Sequence, residues 1–304
     1  MVLTADLTAL LDRVPALGGT EREVSPLPGG LTNRNYKVTA PGGCYVVRIS
    51  SRTSDLLAID REAEYRNSVA AAVSGVAPKV VDYLPGLGVL VIDWVDGHTL
   101  TNADMNGPQN LARIARACRR LHAGPRFVND FDMCRIQRQY LATVTRQGFR
   151  LPDRYLDFMP AADRIRQALA VHPLPTVPCH NDLLAANFIA GSHQLWLIDY
   201  EYAGNNDPCF ELGNIWSEAA MEVDALEELV ADYFGAARPD MVARARLQGL
   251  MSKYGWMLWA AIQDGISTLD FDFWTWGMEK YDRAVAEFRA PGFDSLLDAI
   301  ASPG

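Results

Sequence analysis

The segment CHNDLLAANFI places His180, Asp182 and Asn187 in the pattern H-x-D-x-x-x-x-N, and a second aspartate, Asp199, follows in LWLIDYEYA. Those residue types at that spacing suit one chemistry. A carboxylate on a loop ahead of a strand can accept the proton of a substrate hydroxyl. An amide oxygen and a carboxylate are hard donors of the kind magnesium takes. Between Asn187 and Asp199 lie two short apolar runs, Phe188-Ile189-Ala190 and Leu195-Trp196-Leu197-Ile198, around Gly191-Ser192-His193-Gln194. A two-stranded hairpin brings its ends together, so residues twelve apart in sequence can share one ion. His180 alone would read equally as a buried histidine holding the loop. The four residues in register point to function.

The rest of the chain must supply the elements that position them. Leu3, Leu7, Leu10, Leu11 and Val14 share one face of an opening helix. Glu23 to Leu27, Tyr36 to Thr39 and Cys44 to Ile49 then read as three antiparallel strands, separated by the turn-rich Pro28 to Asn35 and by Pro41-Gly42-Gly43. Ile59 to Val73 switches to helix formers, and Val80 to Tyr83 and Leu87 to Val95 return to strand character. Beyond Asp96-Gly97 helical segments dominate: Pro108 to His122, Arg135 to Gln147, Asp153 to Val171 and, after the hairpin, Met221 to Phe234 and the chain's end. The expected fold is α+β in two parts, a small antiparallel β-rich lobe over residues 1–95 and a larger mainly helical lobe over 96–304. A hinge falls near Trp94 to Gly97.

Composition narrows the partners. With 49% hydrophobic residues in 304, the chain can bury a full core. Its apolar runs fall far short of the roughly 20 residues of a membrane span. Five scattered cysteines without a C-x-x-C pair suggest neither a disulfide framework nor a zinc site, and a reducing cytoplasm fits. A net charge of −9 argues against nucleic acid and anionic lipid, and suits a small cation. Ten acidic residues and no Lys or Arg fall between Asp199 and Ala237. They read either as a solvated helix face or as a field that attracts a cation.

The motifs PGGLTNRNYKV, YVVRI, EYRN, VAPKVV, HNDLLAANF, LWLIDYEYAGNND and the closing WMLWAAIQ with DFDFWTWGMEKYDRA extend from about Pro26 to about Glu287. Together they resemble the choline/ethanolamine kinase group of the aminoglycoside-phosphotransferase-like kinases, whose fold is that of protein kinases. The resemblance implies a bilobal protein-kinase-like fold, ATP and Mg²⁺. It implies Asp182 as catalytic base, Asn187 and Asp199 as magnesium ligands, and Gly29, Gly30, Leu31, Thr32 and Asn33 as a phosphate cover. Arg48 stands where protein kinases have a lysine and would clamp phosphates bidentately. Glu64 would orient it, with Glu62 as competitor for that pairing, since residues two apart on a helix face different ways. Adenine would lie at the hinge near Asp93 to Val95.

Departures from the protein-kinase pattern are informative as well. The loop GGLTN lacks G-x-G-x-x-G and on its own reads equally as a hairpin turn. Asn181 precedes the catalytic aspartate where protein kinases have arginine, and no A-P-E segment follows. These absences point to a small-molecule kinase that phosphorylation does not switch.

Eight aromatic residues crowd between Ser252 and Tyr281. Phe271, Phe273 and Tyr281 read as core. Trp256 and Trp259, three apart and so on one helix face, match with Tyr202 the positions that the resemblance assigns to a choline pocket. A quaternary ammonium has no N–H to donate, so aromatic faces must hold it. A primary ammonium prefers carboxylates. The expected acceptor is choline, a small cationic amino alcohol, with ethanolamine, thiamine or an aminoglycoside as alternatives. A catalytically silent choline-binding protein is the rival from another class. Asp207 and Glu211 could add long-range attraction, although Glu211 also reads as a structural cap, and His122 reads as a cation at its helix's C-terminus.

Overall fold

The turn chemistry of the N-terminal part builds a five-stranded antiparallel sheet in the order β1-β2-β3-β5-β4. The computed structural model describes residues 5–18, 21–50 and 54–302. A short helix, α1 (Ala5–Leu11), precedes β1 (Glu23–Leu27), β2 (Asn33–Ala40) and β3 (Gly43–Ser50). Pro41-Gly42 closes the β2–β3 hairpin, with Ala40 opposite Gly43. Leu7, Leu11, Val14 and Leu17 pack onto Val38, Val47, Val89 and Val91, so the opening helix covers the sheet. Leu3, expected on the same face, lies outside the described residues.

Helix α2 (Arg61–Ser74) begins where the Asp60 carboxylate accepts the N–H groups of Glu62 and Ala63, both at 3.0 Å, an ordinary N-cap. It ends at Gly75, in the left-handed region at φ 76°, where glycine is favoured. This phase turns Glu64 inward and leaves Glu62 exposed. Strands β4 (Val80–Leu84) and β5 (Val89–Asp93) complete the sheet. The expected strand from Leu87 starts at Val89 instead, because Gly86 and Gly88 both take positive φ, a turn geometry that glycine adopts without strain.

The larger part contains β6 (His98–Thr99), α3 (Asn102–Met105), α4 (Pro108–His122), α5 (Met133–Gln147), α6 (Met159–Val171) and β7 (Val177–Cys179). The hairpin β8 (Phe188–Ala190) and β9 (Leu195–Leu197), then β10 (Gly204–Asn206), lead into α7 (Pro208–Glu218), α8 (Val223–Phe234), α9 (Pro239–Ile266), α10 (Phe273–Phe288) and α11 (Phe293–Ala301). Helix α5 starts two residues before the expected Arg135, capped by Asp132. The segment read as one helix from Asp153 divides into a 3₁₀ turn, Tyr155–Phe158, and α6. Pro160 sits in the first turn of α6, where its missing N–H costs nothing.

Two cores fill this part. One surrounds α9, which is buried along most of its 28 residues. The other joins α4, α7 and α8 to the β8–β9 hairpin. Helices α7 and α9 approach backbone to backbone: a Cβ on Gly213 would lie 2.0 Å from the Ala245 carbonyl oxygen. Among the described residues no helix is long and apolar enough to cross a membrane.

Candidate active site

The β7–β10 pairing, with Cys179 opposite Gly204, carries His180, Asn181 and Asp182 out at one end of β7. Asn181 adopts φ 67°, a left-handed geometry that asparagine tolerates better than most residues. Its amide donates to the carbonyls of Cys179, Tyr202 and Gly204 at 3.0–3.1 Å and accepts from Asn206 at 2.9 Å. Where the sequence showed only a missing arginine, the structure has a buried asparagine that ties the Asp182 loop to the loop after Asp199. Below it, Glu211 accepts the N–H groups of His180 and Asn181 at 2.7 and 2.8 Å. Burial pushes the Glu211 carboxyl upward, but the His122 and His180 rings and the donated N–H bring it below the ordinary carboxylate value, because each stabilises the charged form.

Neither Glu211 nor Asp207 supplies the expected long-range attraction. Both are buried and internally paired, Asp207 with Arg244 at 2.6 Å. Asp224, Glu227 and Glu228 on α8 are exposed, so the acidic run divides into a paired interior and a solvated face. His122 is the last residue of α4, as expected. It is buried, with Nδ1 2.7 Å from the Tyr233 hydroxyl and Nε2 3.5 Å from Glu211. His180 is fully buried, and its Nε2 lies 2.8 Å from the Ile198 carbonyl oxygen, to which it donates. Burial holds its pKa below the usual value, so it is a neutral prop for the loop.

The β8–β9 hairpin returns Asp199 beside Asn187, as its length requires, and both line a cleft of about 440 Å³ between the sheet and the helical part. The Asn187 amide nitrogen donates to the Asp182 carbonyl at 2.7 Å, which leaves its oxygen for another partner. Asp199 sits at φ 70° and ion-pairs with Arg48. Arg48 also pairs with Glu64, and Glu64 accepts from Arg61 at 2.8 Å; the exposed Glu62 has no part in this. Arg48 Nε is buried without a partner on the cleft wall, a donor left for an anion. Val46, Ala77, Leu90, Ile189 and Ile198 form apolar walls, and Asp93, Trp94 and Val95 close one side.

Of the five residues from Gly29 to Asn33, Gly29 and Gly30 line this cleft. Gly29 takes φ 100°, and a Cβ on Gly30 would lie 2.4 Å from the Asn33 carbonyl oxygen. Leu31, Thr32 and Asn33 bond to residues of the helical part. Thr32 and Asn33 donate to the Glu201 carboxylate at 3.0 Å, and the Leu31 carbonyl accepts from Gln263 at 3.1 Å. Buried partners across the cleft, the Glu201 carboxylate as acceptor and the Gln263 amide as donor, hold their polar groups away from it.

Asp182 is half-buried. Desolvation, then the charges of Glu218, Glu201 and Asp199, raise its pKa well above the usual value, against a smaller opposing effect of Lys280. All three acids and the burial disfavour its charged form. The same upward shift strengthens the ionised carboxylate as a proton acceptor. Tyr202 feels the Asp182 charge and sits with its ring centroid 4.9 Å from that of Trp256, edge to face. The Trp259 indole N–H donates to the Tyr202 hydroxyl at 2.8 Å. Trp259 also meets Trp276 of α10 at 5.6 Å. Trp256, Trp259 and Tyr202 are each at most 6% exposed, whereas Trp276 is half-buried and presents open surface. The sequence offered no local signal that separated Trp276 from its aromatic neighbours.

A small antiparallel sheet over a helical lobe, with an aspartate loop and a hairpin-borne asparagine and aspartate at the cleft between them, defines a kinase-like phosphotransferase. The chain belongs to the phosphotransferase enzyme family, whose pattern matches residues 23–250, and within it to the choline/ethanolamine kinase group. It is an enzyme that phosphorylates an alcohol. It is similar to a choline/ethanolamine kinase family protein from Mesorhizobium loti, at 32% identity over 97% of this chain and 98% of that one, with a TM-score of 0.85. Ethanolamine kinase 2 of Mus musculus is 30% identical over 79% of this chain and 69% of its own length. Choline kinase LicA from Streptococcus pneumoniae, 21% identical over 96% of this chain and all of its own, shares the fold with a TM-score of 0.79.

Proposed function

We propose that the protein transfers the γ-phosphoryl group of ATP to the hydroxyl of choline. Residues 1–95 would serve as the nucleotide lobe, and residues 96–304 would supply the catalytic loop and acceptor pocket. The observation that carries the choline reading is the aromatic set Tyr202, Trp256, Trp259 and Trp276 in the lobe that bears Asp182. An alkylated ammonium gains about 0.5–2 kcal/mol from each face it meets.

The cleft suits a nucleotide. Its apolar walls fit a base beside Asp93 to Val95, and Gly29, Gly30 and the unpartnered Arg48 Nε fit phosphates. The free amide oxygen of Asn187 and the Asp199 carboxylate fit a hard cation. Bound magnesium would neutralise charge on the transferring phosphoryl group. Asp182 would take the hydroxyl proton and align the oxygen for in-line attack. Arg48, held by Glu64, would orient the phosphates.

Ethanolamine is the second reading, favoured by the 30% identity to a protein of that name. A coupled ADP-release assay with choline, ethanolamine, thiamine and an aminoglycoside separates the readings. Choline-dependent turnover that falls about 10²- to 10⁴-fold in Asp182→Asn supports the proposal. Turnover with ethanolamine alone keeps the phosphotransfer and removes the cage. Silence across the panel refutes it in favour of another acceptor or a binding protein.

A further inference from the structure

Helix α10 places Trp276 and Lys280 one turn apart, on the side that faces the end of α7. The Lys280 ammonium lies 2.6 Å from each oxygen of Glu218 and 4.2 Å from the centre of the Trp276 ring. The lysine is 6% exposed and the Glu218 side chain 8%, so water and salt do little to screen the pair. Trp276 in turn meets Trp259, and the charges of both Glu218 and Lys280 are felt at Asp182. A lysine therefore sits inside the region that the amino-alcohol reading assigns to a cation. Phosphoryl transfer itself has no use for it. Replacing such a buried pair by apolar groups is often neutral or stabilising, so folding alone does not explain it.

We infer that Lys280 is a specificity-determining residue: it neutralises Glu218 and so denies a primary ammonium its carboxylate partner, leaving aromatic faces to select an alkylated one. The inference rests on the amino-alcohol reading above. A primary ammonium sheds its hydration only where carboxylates replace the lost hydrogen bonds. With both Glu218 oxygens held by Lys280, that replacement is missing. A quaternary ammonium loses nothing by it, because it donates no hydrogen bond.

The neighbouring pair Lys253–Glu287, at 2.5 Å with Lys253 4.5 Å from the Trp216 ring centre, offers a comparison of like chemistry in the helical core. The test measures choline and ethanolamine in direct competition for wild type, Lys280→Met, Lys280→Met with Glu218→Gln, and Lys253→Met. Freeing Glu218 in Lys280→Met should shift the choline-to-ethanolamine ratio of kcat/KM toward ethanolamine by about 10-fold or more, as one charge-assisted hydrogen bond implies. The double variant should return most of that shift, and Lys253→Met, whose charge reaches Glu218 without bonding it, should move the ratio far less than Lys280→Met does. Glu218→Gln alone guards against a poorly folded Lys280→Met. It leaves an uncompensated cation in the pocket and should raise KM for both amino alcohols. An unmoved ratio in Lys280→Met, a shift that persists in the double variant, or an unchanged KM in Glu218→Gln overturns the inference while the functional reading stands. A wild type silent on every amino alcohol removes both.

Discussion

Individual side chains in this protein act mainly by holding other side chains and backbone in place. Glu211 shows this at the Asp182 loop, where one buried carboxylate accepts two successive N–H groups. Glu211→Gln would turn an amide N–H toward one of those donors, so it should lower stability by about 1–3 kcal/mol, read by denaturant unfolding. The sign with pH follows from its depressed pKa. The native carboxyl titrates below the unfolded one, so its stabilisation is present above the ordinary carboxylate range and lost as pH falls through the native value. Melting temperatures across that range should show a shallower acid dependence in Glu211→Gln than in wild type. Equal slopes would place the acid sensitivity elsewhere. On the acceptor side, Trp259→Ala should weaken choline more than ethanolamine in competition, because an aromatic face is lost to one and not to the other. Equal weakening would make Trp259 a packing residue.

At the scale of elements, the α7–α9 crossing sets where the acceptor region meets the catalytic loop. Helix α7 carries Glu211 and Glu218, α9 carries Trp256 and Trp259, and the two cross where Gly213 leaves no room for a Cβ. Gly213→Ala should cost about 1–3 kcal/mol or more, since the obstruction is backbone and cannot rotate away. A melting temperature equal to wild type would mean the helices shift freely. These elements were largely legible from the chain. Pro41-Gly42 and Pro108 punctuate the sequence, and turns and caps are local chemistry; the Asp60 cap, which falls inside the run read as helix from Ile59, and the glycines that delay β5 to Val89 did not stand out in the same way. Asp182, Asn187 and Asp199 were legible for the same reason, because one hairpin of short, readable strands connects them. The destinations of Thr32 and Asn33, the burial of His122 and the Lys280–Glu218 pair were not. Their partners lie far away in sequence, and only the packed fold brings them into reach.

In the whole molecule the two parts are joined at several points besides the chain that runs between them. Arg48 links β3 to α2 through Glu64 and to the hairpin's end through Asp199. Asn67 of α2 bonds Asn129, the Ala203 carbonyl and the Val128 N–H of the helical part, at 2.7–3.0 Å. Glu201 and Gln263 hold the residues after Gly30. A helix pinned in this way needs no phosphorylated loop to bring Glu64 to Arg48, which agrees with the absence of an arginine before Asp182. The central claim is that this assembled cleft moves a phosphoryl group from ATP to an amino alcohol, with Asp182 as base. Phosphorus NMR of the purified protein with magnesium, ATP and choline tests it most directly. The account predicts a growing phosphocholine signal with matching ADP, absent from the Asp182→Asn sample on the same timescale. ATP consumed without a phosphorylated amino alcohol, or equal product from both samples, would contradict it.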